Sequence, residues 1–485
     1  MKLTGVEGQK SVLKKILGIA LVFSALFGFS FMGSAIADPV TAETAKAAAD
    51  AAVTQGDTAF MLLCAALVLL MTPGLAFFYG GFVRARNVLN TMMMSFILMG
   101  IVGVSWIVWG YSLAFAPGLP FIGGLQWFLL NGVGLETTGY LQGSQPEAVV
   151  SYAGTIPHQA FMIYQAMFAI ITPALISGAI VERISFKAYF WFIVLWSGIL
   201  YPIFAHMVWA KGGFLGLYGG LGALDFAGGT VVHISSGVSA LVAAWVIGPR
   251  KTYPNQPAAP HNVPYILLGA GLLWFGWFGF NAGSALASGN LATVAFVATN
   301  TAAAAAALAW VILEWILRGK PTAVGIATGA VAGLVGITPA AGFVEPKAAI
   351  LIGALTATVC FFAVSLKAKL QFDDSLDTFP VHGVGGTFGA ILTGIFATKA
   401  VNSAGGDGLL YGNPSQLLTQ IEAVAITYIL AAIGTFVILK FLDATIGLRV
   451  HSEAEYQGID INEHGEEGYG EEIATGFSIS HSHAE

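Results

Sequence analysis

Long apolar runs, separated by short polar joints, repeat along nearly the whole chain. Eleven can be drawn, at approximately 57–83, 88–115, 156–181, 186–208, 229–248, 262–285, 291–317, 322–341, 346–366, 378–398 and 419–443. Each is near or above the ~20 residues that carry a helix across the hydrocarbon core of a bilayer. Short alternating strands are absent, so the pattern predicts a helical bundle rather than a barrel. The joints carry positive charge unevenly. Arg84, Arg86, Arg183, Lys187, Arg250, Lys251, Arg318, Lys320, Lys367, Lys369, Lys440 and Arg449 fall on one side, and only Lys46, Lys211, Lys347 and Lys399 on the other. Basic residues stay on the cytoplasmic side, so the expected topology is N-terminus outside and C-terminus inside. The joint Pro117–Thr155, which carries no Lys or Arg but has Trp127 and Tyr140, then lies outside.

Composition strengthens this reading. Of 485 residues, 56% are hydrophobic and 9% charged, against roughly 25% charged in a soluble protein. Gly is frequent, which in membranes favours close helix packing through small faces. The net charge of −6 calls for no nucleic-acid partner, and much of it sits in the tail Glu453–Glu485. Cys64 and Cys360 both lie within apolar runs and suggest neither a disulfide framework nor a metal site. At the N-terminus, Lys10, Lys14 and Lys15 precede an apolar run, Ile16–Ile36, that ends in Ala35-Ile36-Ala37. This is the pattern of a secretory signal over residues 1–37, although the run exceeds the roughly 7–15 residues of a signal core, and an uncleaved extra span is the alternative. Residues 38–56 then form an extracytoplasmic segment, 57–445 the membrane domain and 446–485 a cytoplasmic tail.

The candidate chemistry lies where charge is otherwise avoided. His233 falls in the fifth span and His382 in the tenth, each near an acid and a run of small residues, "DFAGGTVVHISSG" and "DTFPVHGVGGTFG". Two halves of five spans must have opposite topology, the inverted-repeat arrangement that puts a site between the halves near the midplane. One membrane-embedded histidine is readily explained by packing and a bond to a carbonyl. Two at matching places in two halves point to function. No His/Cys/Asp cluster at metal spacing appears, and no nucleophile–base set or cofactor loop suggests an enzyme. Paired imidazoles in an apolar lumen suit a narrow path for a small polar molecule.

These residues resemble the ammonium transporter (Amt) family, related to the Rh proteins. "DFAGGTVVHISSGVSALVAAWVIGPR" is similar to the family signature nearly throughout, and "YQAMFAIITPALISGAIVERISF", "GWFGFNAGSA", "FDDSLDTFPVHGVGGTFGAILTGIFA" and "GLRVHSEAEYQGIDINEHGE" match other blocks in the expected order, over roughly residues 55–470. The resemblance implies an all-α homotrimer of eleven-helix subunits, a 5+5 inverted repeat plus one helix, with one pore per subunit and no cofactor. It implies recruitment of ammonium by Trp209, Tyr164 and Ser284, where the family often has Phe in place of Tyr164. It implies a gate of stacked Phe168 and Phe280, with ammonia passing His233 and His382 beneath. Asp225, at the start of the fifth helix, would bond free N–H groups and support the mouth electrostatically, and Asp377 would cap the corresponding helix in the second half.

The tail after Arg449 turns acidic and polar, which by itself reads as solvated chain. The resemblance implies instead that His451–Gly470 pack beneath the trimer and communicate with a PII-type regulatory protein. Residues 471–485 do not align, and His481 and His483 are too few for a metal tract. Uptake of ammonium across a bacterial cytoplasmic membrane for nitrogen assimilation is the leading expectation. An ammonium sensor with little transport is the second. An Rh-like channel for ammonia or carbon dioxide is the third, and Trp209 at the mouth argues against it.

Overall fold

The computed structural model describes residues 42–136, 140–141, 149–150, 152–255 and 259–469. The expected signal segment and residues 470–485 lie outside the described residues. Two compact units divide between Val53 and Thr54, and the second, Thr54–Glu485, contains the helical bundle.

Eleven long helices occupy the expected spans: α1 Ala42–Phe82, α2 Ala85–Phe115, α3 His158–Ile180, α4 Phe186–Trp209, α5 Gly229–Ile247, α6 Val263–Gly283, α7 Asn290–Arg318, α8 Ala323–Ile337, α9 Pro346–Lys369, α10 Phe379–Phe396 and α11 Pro414–Ile446. Among the described residues, ten helices are long and apolar enough to cross a membrane, so the chain is a multi-pass membrane protein. Three differ most from their expected extent, and one of them, α11, is longer at both ends. α1 starts at Ala42, because the stretch "AETAKAAADAAVTQG" before the apolar run is itself rich in the strongest helix former. α8 has only 15 residues. Its glycines seat it against its neighbours: a Cβ on Gly329 would strike Trp310 of α7, one on Gly333 would strike Ala306, and one on Gly336 would strike Thr356 of α9. A helix enclosed by protein in this way need not match the lipid thickness.

Helix starts are capped by side chains. Ser185 accepts from Ala188 N at 3.3 Å, Asn262 from Tyr265 N at 3.0 Å and Thr322 from Gly325 N at 2.8 Å, which satisfies donors that lipid could not. The joint between α2 and α3 contains two small hairpins, pairing Gly118–Leu119 with Ile122–Gly123 and Tyr140–Leu141 with Val149–Val150.

α5 and α10 cross in the middle of the bundle, and both open with a wide π-type turn, Gly229–Ile234 and Phe379–Val384. Gly237 follows His233 by four residues, and Gly386 follows His382 by four. A Cβ on Gly237 would meet Gly383 N at 2.2 Å, and one on Gly386 would meet His233 Cβ at 2.9 Å. The helices approach so closely because each is bare at the crossing point.

At one end of the bundle the joints are tied by buried charge. Glu182 accepts from Arg84 N (3.0 Å), Arg84 Nε (2.8 Å), Asn87 Nδ2 (2.8 Å) and Arg250 Nη1 (2.7 Å). Arg250 also donates to Asp373 through Nη2 at 2.7 Å and Nε at 3.0 Å. Burial alone would raise the Glu182 pKa, but the hydrogen bonds and charges of Arg84 and Arg250 outweigh it and hold the carboxyl at about 2.

The tail docks on this network. Two short helices, α12 Ser452–Gln457 and α13 Ile459–His464, place Asp460 where it accepts from Leu89 N (2.9 Å) and Asn90 N (2.8 Å) at the start of α2. Glu455 binds Arg449 at 2.7 Å and Lys251 N at 2.6 Å. Ile459 is fully buried. The solvated reading of the tail therefore fails for Glu455, Asp460 and Glu463, which accept from N–H groups on the joints, whereas Glu453, Glu466 and Glu467 stay exposed.

Candidate functional site

Among the described residues, three spaces lie in series through the bundle. The first is a vestibule of about 400 Å³, at the end opposite the tail, lined among others by Phe168, Trp209, Asp225, Phe226, Ser284 and Gln165. α4 ends at Trp209, and α6 ends at Gly283 with Ser284 as its cap, so the two helix ends bring Trp209 and Ser284 to this mouth. The Trp209 indole N–H donates to the Asp225 carbonyl at 3.0 Å, which holds the ring in place. Ser284 Oγ donates back to Phe280 O at 2.9 Å, leaving lone pairs to accept N–H groups.

Asp225 is saturated. Its two oxygens accept from Gly228 N (2.7 Å), Gly229 N (2.6 Å), Thr230 N (2.8 Å), Val231 N (3.3 Å) and the Thr230 hydroxyl. The turn that aims these donors at it passes through Gly228, whose φ of 117° suits glycine. The carboxylate organises the start of α5, the helix that carries His233, and places its negative charge at the positive end of that helix.

Phe168 and Phe280 close the floor of the vestibule with ring centroids 4.3 Å apart, and Trp209 meets Phe168 edge-on at 5.7 Å. Both phenylalanines are buried. Below them is a lumen of about 10 Å³, walled by Leu75, Ile171, Val232, Leu273, Trp277 and the two histidines among others. That is room for about one water-sized molecule. His233 stacks between Trp277 (5.4 Å) and His382 (5.3 Å), and the two Nδ1 atoms face each other at 3.3 Å. For two neutral rings, one Nδ1 donates to the other, so the pair presents one Nε2 that can donate and one that can accept. His233 Nε2 is buried with no hydrogen-bond partner among the described residues. Trp277 is fixed by its own bond to Thr338 Oγ1 at 2.9 Å.

Beyond His382 lies a third space of about 20 Å³, lined by Tyr79, Thr328, Asp377 and His382 among others. Asp377 pairs here with Lys367. It does not cap α10, as expected from the sequence. Asp374 does, accepting from Thr378 N at 3.1 Å and Phe379 N at 2.7 Å. The physical reason is register: Asp225 precedes His233 by eight residues, and Asp374 precedes His382 by eight, whereas Asp377 is too close to the wide turn to reach back over it.

Tyr164 also sits differently from expectation. It is fully buried behind the vestibule wall, its hydroxyl committed to Gly279 O (3.0 Å) and Phe280 O (2.8 Å) and 3.2 Å from Ser284 Oγ. Its phenol therefore braces α6 against α3 under the mouth. Gln165 is the residue that sequence reasoning missed there: it lines the vestibule, and its Oε1 is buried without a partner among the described residues. A polar residue next to the aromatic run of α3 was the available signal.

The Ammonium Transporter Family model matches residues 59–469, about 85% of the chain. The chain belongs to that family. Among its relatives, an ammonium transporter of Bacillus subtilis is 52% identical over 415 residues, covering 85% of this chain and 98% of that protein. One from Aquifex aeolicus is 48% identical over 428 residues, covering 87% and 95%. Among solved structures, Mep2 of Saccharomyces cerevisiae matches with a TM-score of 0.74 at 34% identity, covering 82% of this chain and 88% of that one. A structure described as a sensor Amt protein matches with a TM-score of 0.74 at 28% identity, covering 85% and 99%. This family member is thus a membrane protein of a transporter family and not an enzyme. Among the described residues, no group of three or more His, Cys, Asp or Glu could hold a metal ion.

Proposed function

We propose that the chain takes up ammonium across a bacterial cytoplasmic membrane, with the vestibule outside and the tail in the cytoplasm, and that it conducts ammonia past His233 and His382. The observation that carries this reading is the His233 Nε2 atom, buried without a partner among the described residues in a lumen of about 10 Å³ beneath closed phenylalanines. An orphaned polar atom in apolar surroundings costs free energy unless a guest completes it.

The vestibule supports capture of the cation. The Trp209 ring attracts it through its π face, worth ~0.5–2 kcal/mol or more on desolvation, while Ser284 Oγ and Gln165 Oε1 accept its N–H bonds. Tyr164 acts in this scheme by bracing α6 behind the mouth rather than by touching the ion. A bare ammonium ion in the lumen would lose most of its hydration, at high cost. The ion therefore gives up its proton to water in the vestibule, which carries it back to the outside. The neutral molecule slips past Phe168 and Phe280 when they part, exchanging hydrogen bonds with the imidazole pair. Asp225 supports the mouth from behind, and Asp377 lines the way out.

The subunits assemble as homotrimers, each with its own pore built from a 5+5 inverted repeat plus α11. The matching π turns, histidines and bare glycines of α5 and α10 support the repeat. The docked segment 447–469 offers a surface through which a PII-type protein would sense or close the inner mouth. Ammonium sensing with little flux is the second reading, favoured by the likeness to the sensor Amt structure. Current and internal pH in proteoliposomes pulsed with ammonium separate the two. A saturable ammonium-specific response that changes in the His233→Ala, His382→Ala double variant supports conduction. Ammonium binding with no response above empty liposomes overturns it in favour of sensing.

A further inference from the structure

α11 is the helix left over from the two halves, yet one of its side chains touches both histidine-bearing segments. Gln420 is almost fully buried, at 1% exposure. Its Oε1 accepts from Leu224 N at 2.7 Å, and its Nε2 donates to Leu224 O at 2.8 Å, so it grips one peptide residue from both sides. The same Nε2 donates to Ala390 O at 3.2 Å, in α10 on the vestibule side of His382. One turn away, Gln416 Nε2 donates to Gly222 O at 3.0 Å and to Gln420 Oε1 at 3.3 Å. All four bonding positions of the Gln420 amide are thus used. Leu224 immediately precedes Asp225, whose carbonyl holds the Trp209 indole and whose carboxylate organises the turn of α5.

We infer that Gln420 is a positioning residue for cation capture: by clamping Leu224 to α10, it sets the Asp225 turn and thereby the orientation of Trp209 over the vestibule. This rests on the proposed capture of ammonium at that mouth. An apolar residue of the same size would fill the space but leave the Leu224 N–H and C=O unpaired in a buried place, and the loop would move to satisfy them. The effect of losing the clamp therefore falls on binding at the mouth, since the lumen is built by other residues.

The test compares Gln420→Leu, Gln420→Asn and Gln420→Glu with the wild type in ammonium-pulsed proteoliposomes. Amide exchange at Leu224–Val231 is followed in parallel. Gln420→Asn is one methylene too short to grip Leu224, and Gln420→Glu keeps the acceptor for Leu224 N. The expected result for the Leu and Asn variants is a half-saturating ammonium concentration raised at least ~fivefold, ~1 kcal/mol of lost binding. The maximal rate of internal pH rise stays within about twofold, exchange at Leu224–Val231 accelerates, and Gln420→Glu recovers part of the affinity. If Gln420→Leu fails to fold, the Asn and Glu variants carry the comparison. Loss of the maximal rate with unchanged half-saturation would make Gln420 merely structural and overturn the inference. Unchanged exchange would overturn it as well. A wild type with no ammonium response would instead sink the transport reading, and the exchange data would then judge the clamp alone.

Discussion

Two buried polar clusters in this molecule are built on opposite rules. Around Glu182 both carboxylate oxygens are engaged: four donors converge on them, Arg250 carries the network on to Asp373, and Arg84 Nη2 is the member left without a partner among the described residues. In the lumen, His233 and His382 face each other, but His233 Nε2 is left open. A saturated cluster gains nothing from a ligand and serves the structure. An unsaturated one, walled by apolar side chains and with room for one small molecule, can be completed by a small polar guest. The difference separates the part of the protein that holds joints and tail together from the part that we propose handles substrate.

The comparison breaks most visibly if the two clusters respond alike to truncation. Glu182→Ala leaves Arg84 and Arg250 without their shared carboxylate, and a loss of about 3–5 kcal/mol is expected. Thermal unfolding in detergent would read it as a large fall in Tm, whereas a fall no greater than that of a surface variant would deny the network its structural role. Acid probes the same cluster at nearly the same scale. The folded Glu182 pKa of about 2 lies below its ordinary value of 4.5. Its contribution is therefore complete above pH ~4.5 and is lost as the pH falls towards 2, roughly 3 kcal/mol in all. Wild-type Tm should drop through that window more steeply than that of Glu182→Gln; parallel curves would assign the acid sensitivity to other groups.

For the lumen the expected effect is smaller in energy but appears in a different observable. His233→Ala should change ammonium flux or its selectivity by at least ~tenfold, about 1.4 kcal/mol. His206→Ala should stay within about twofold, because His206 Nδ1 already bonds Ala114 O at 2.9 Å outside the pore lining. Equal losses in the two variants would reduce His233 to a packing residue. The smallest effect sharpens the border between the clusters. Tyr164→Phe removes a buried hydroxyl that braces α6, at ~1 kcal/mol of stability, while the half-saturating ammonium concentration should move less than twofold. A larger shift would return Tyr164 to direct contact with the ion.

Much of the architecture was legible because lipid imposes a length and a polarity on every span. The eleven runs, the two histidines and the aromatic residues at the ends of α4 and α6 were all visible on that basis. Asp374 was legible too, in the eight-residue interval it shares with Asp225, but nearness to His382 favoured Asp377. Gln420 was not. A lone glutamine in an apolar run says nothing of the Leu224 peptide 196 residues away in sequence. The tail misled for a related reason: acidity suggests solvent until its partners, Leu89 N and Arg449 among them, are brought beside it.

By itself the sequence determined that this chain is a helical membrane protein, where its spans lie, and which ionisable side chains enter them, because those properties depend on local hydrophobicity and on the cost of charge in lipid. Only the tertiary structure decided which of those groups are spent on each other and which are left for substrate. That outcome depends on how closely α5 and α10 can cross at Gly237 and Gly386, and hydrogen bonds reward such placement only within a few tenths of an ångström.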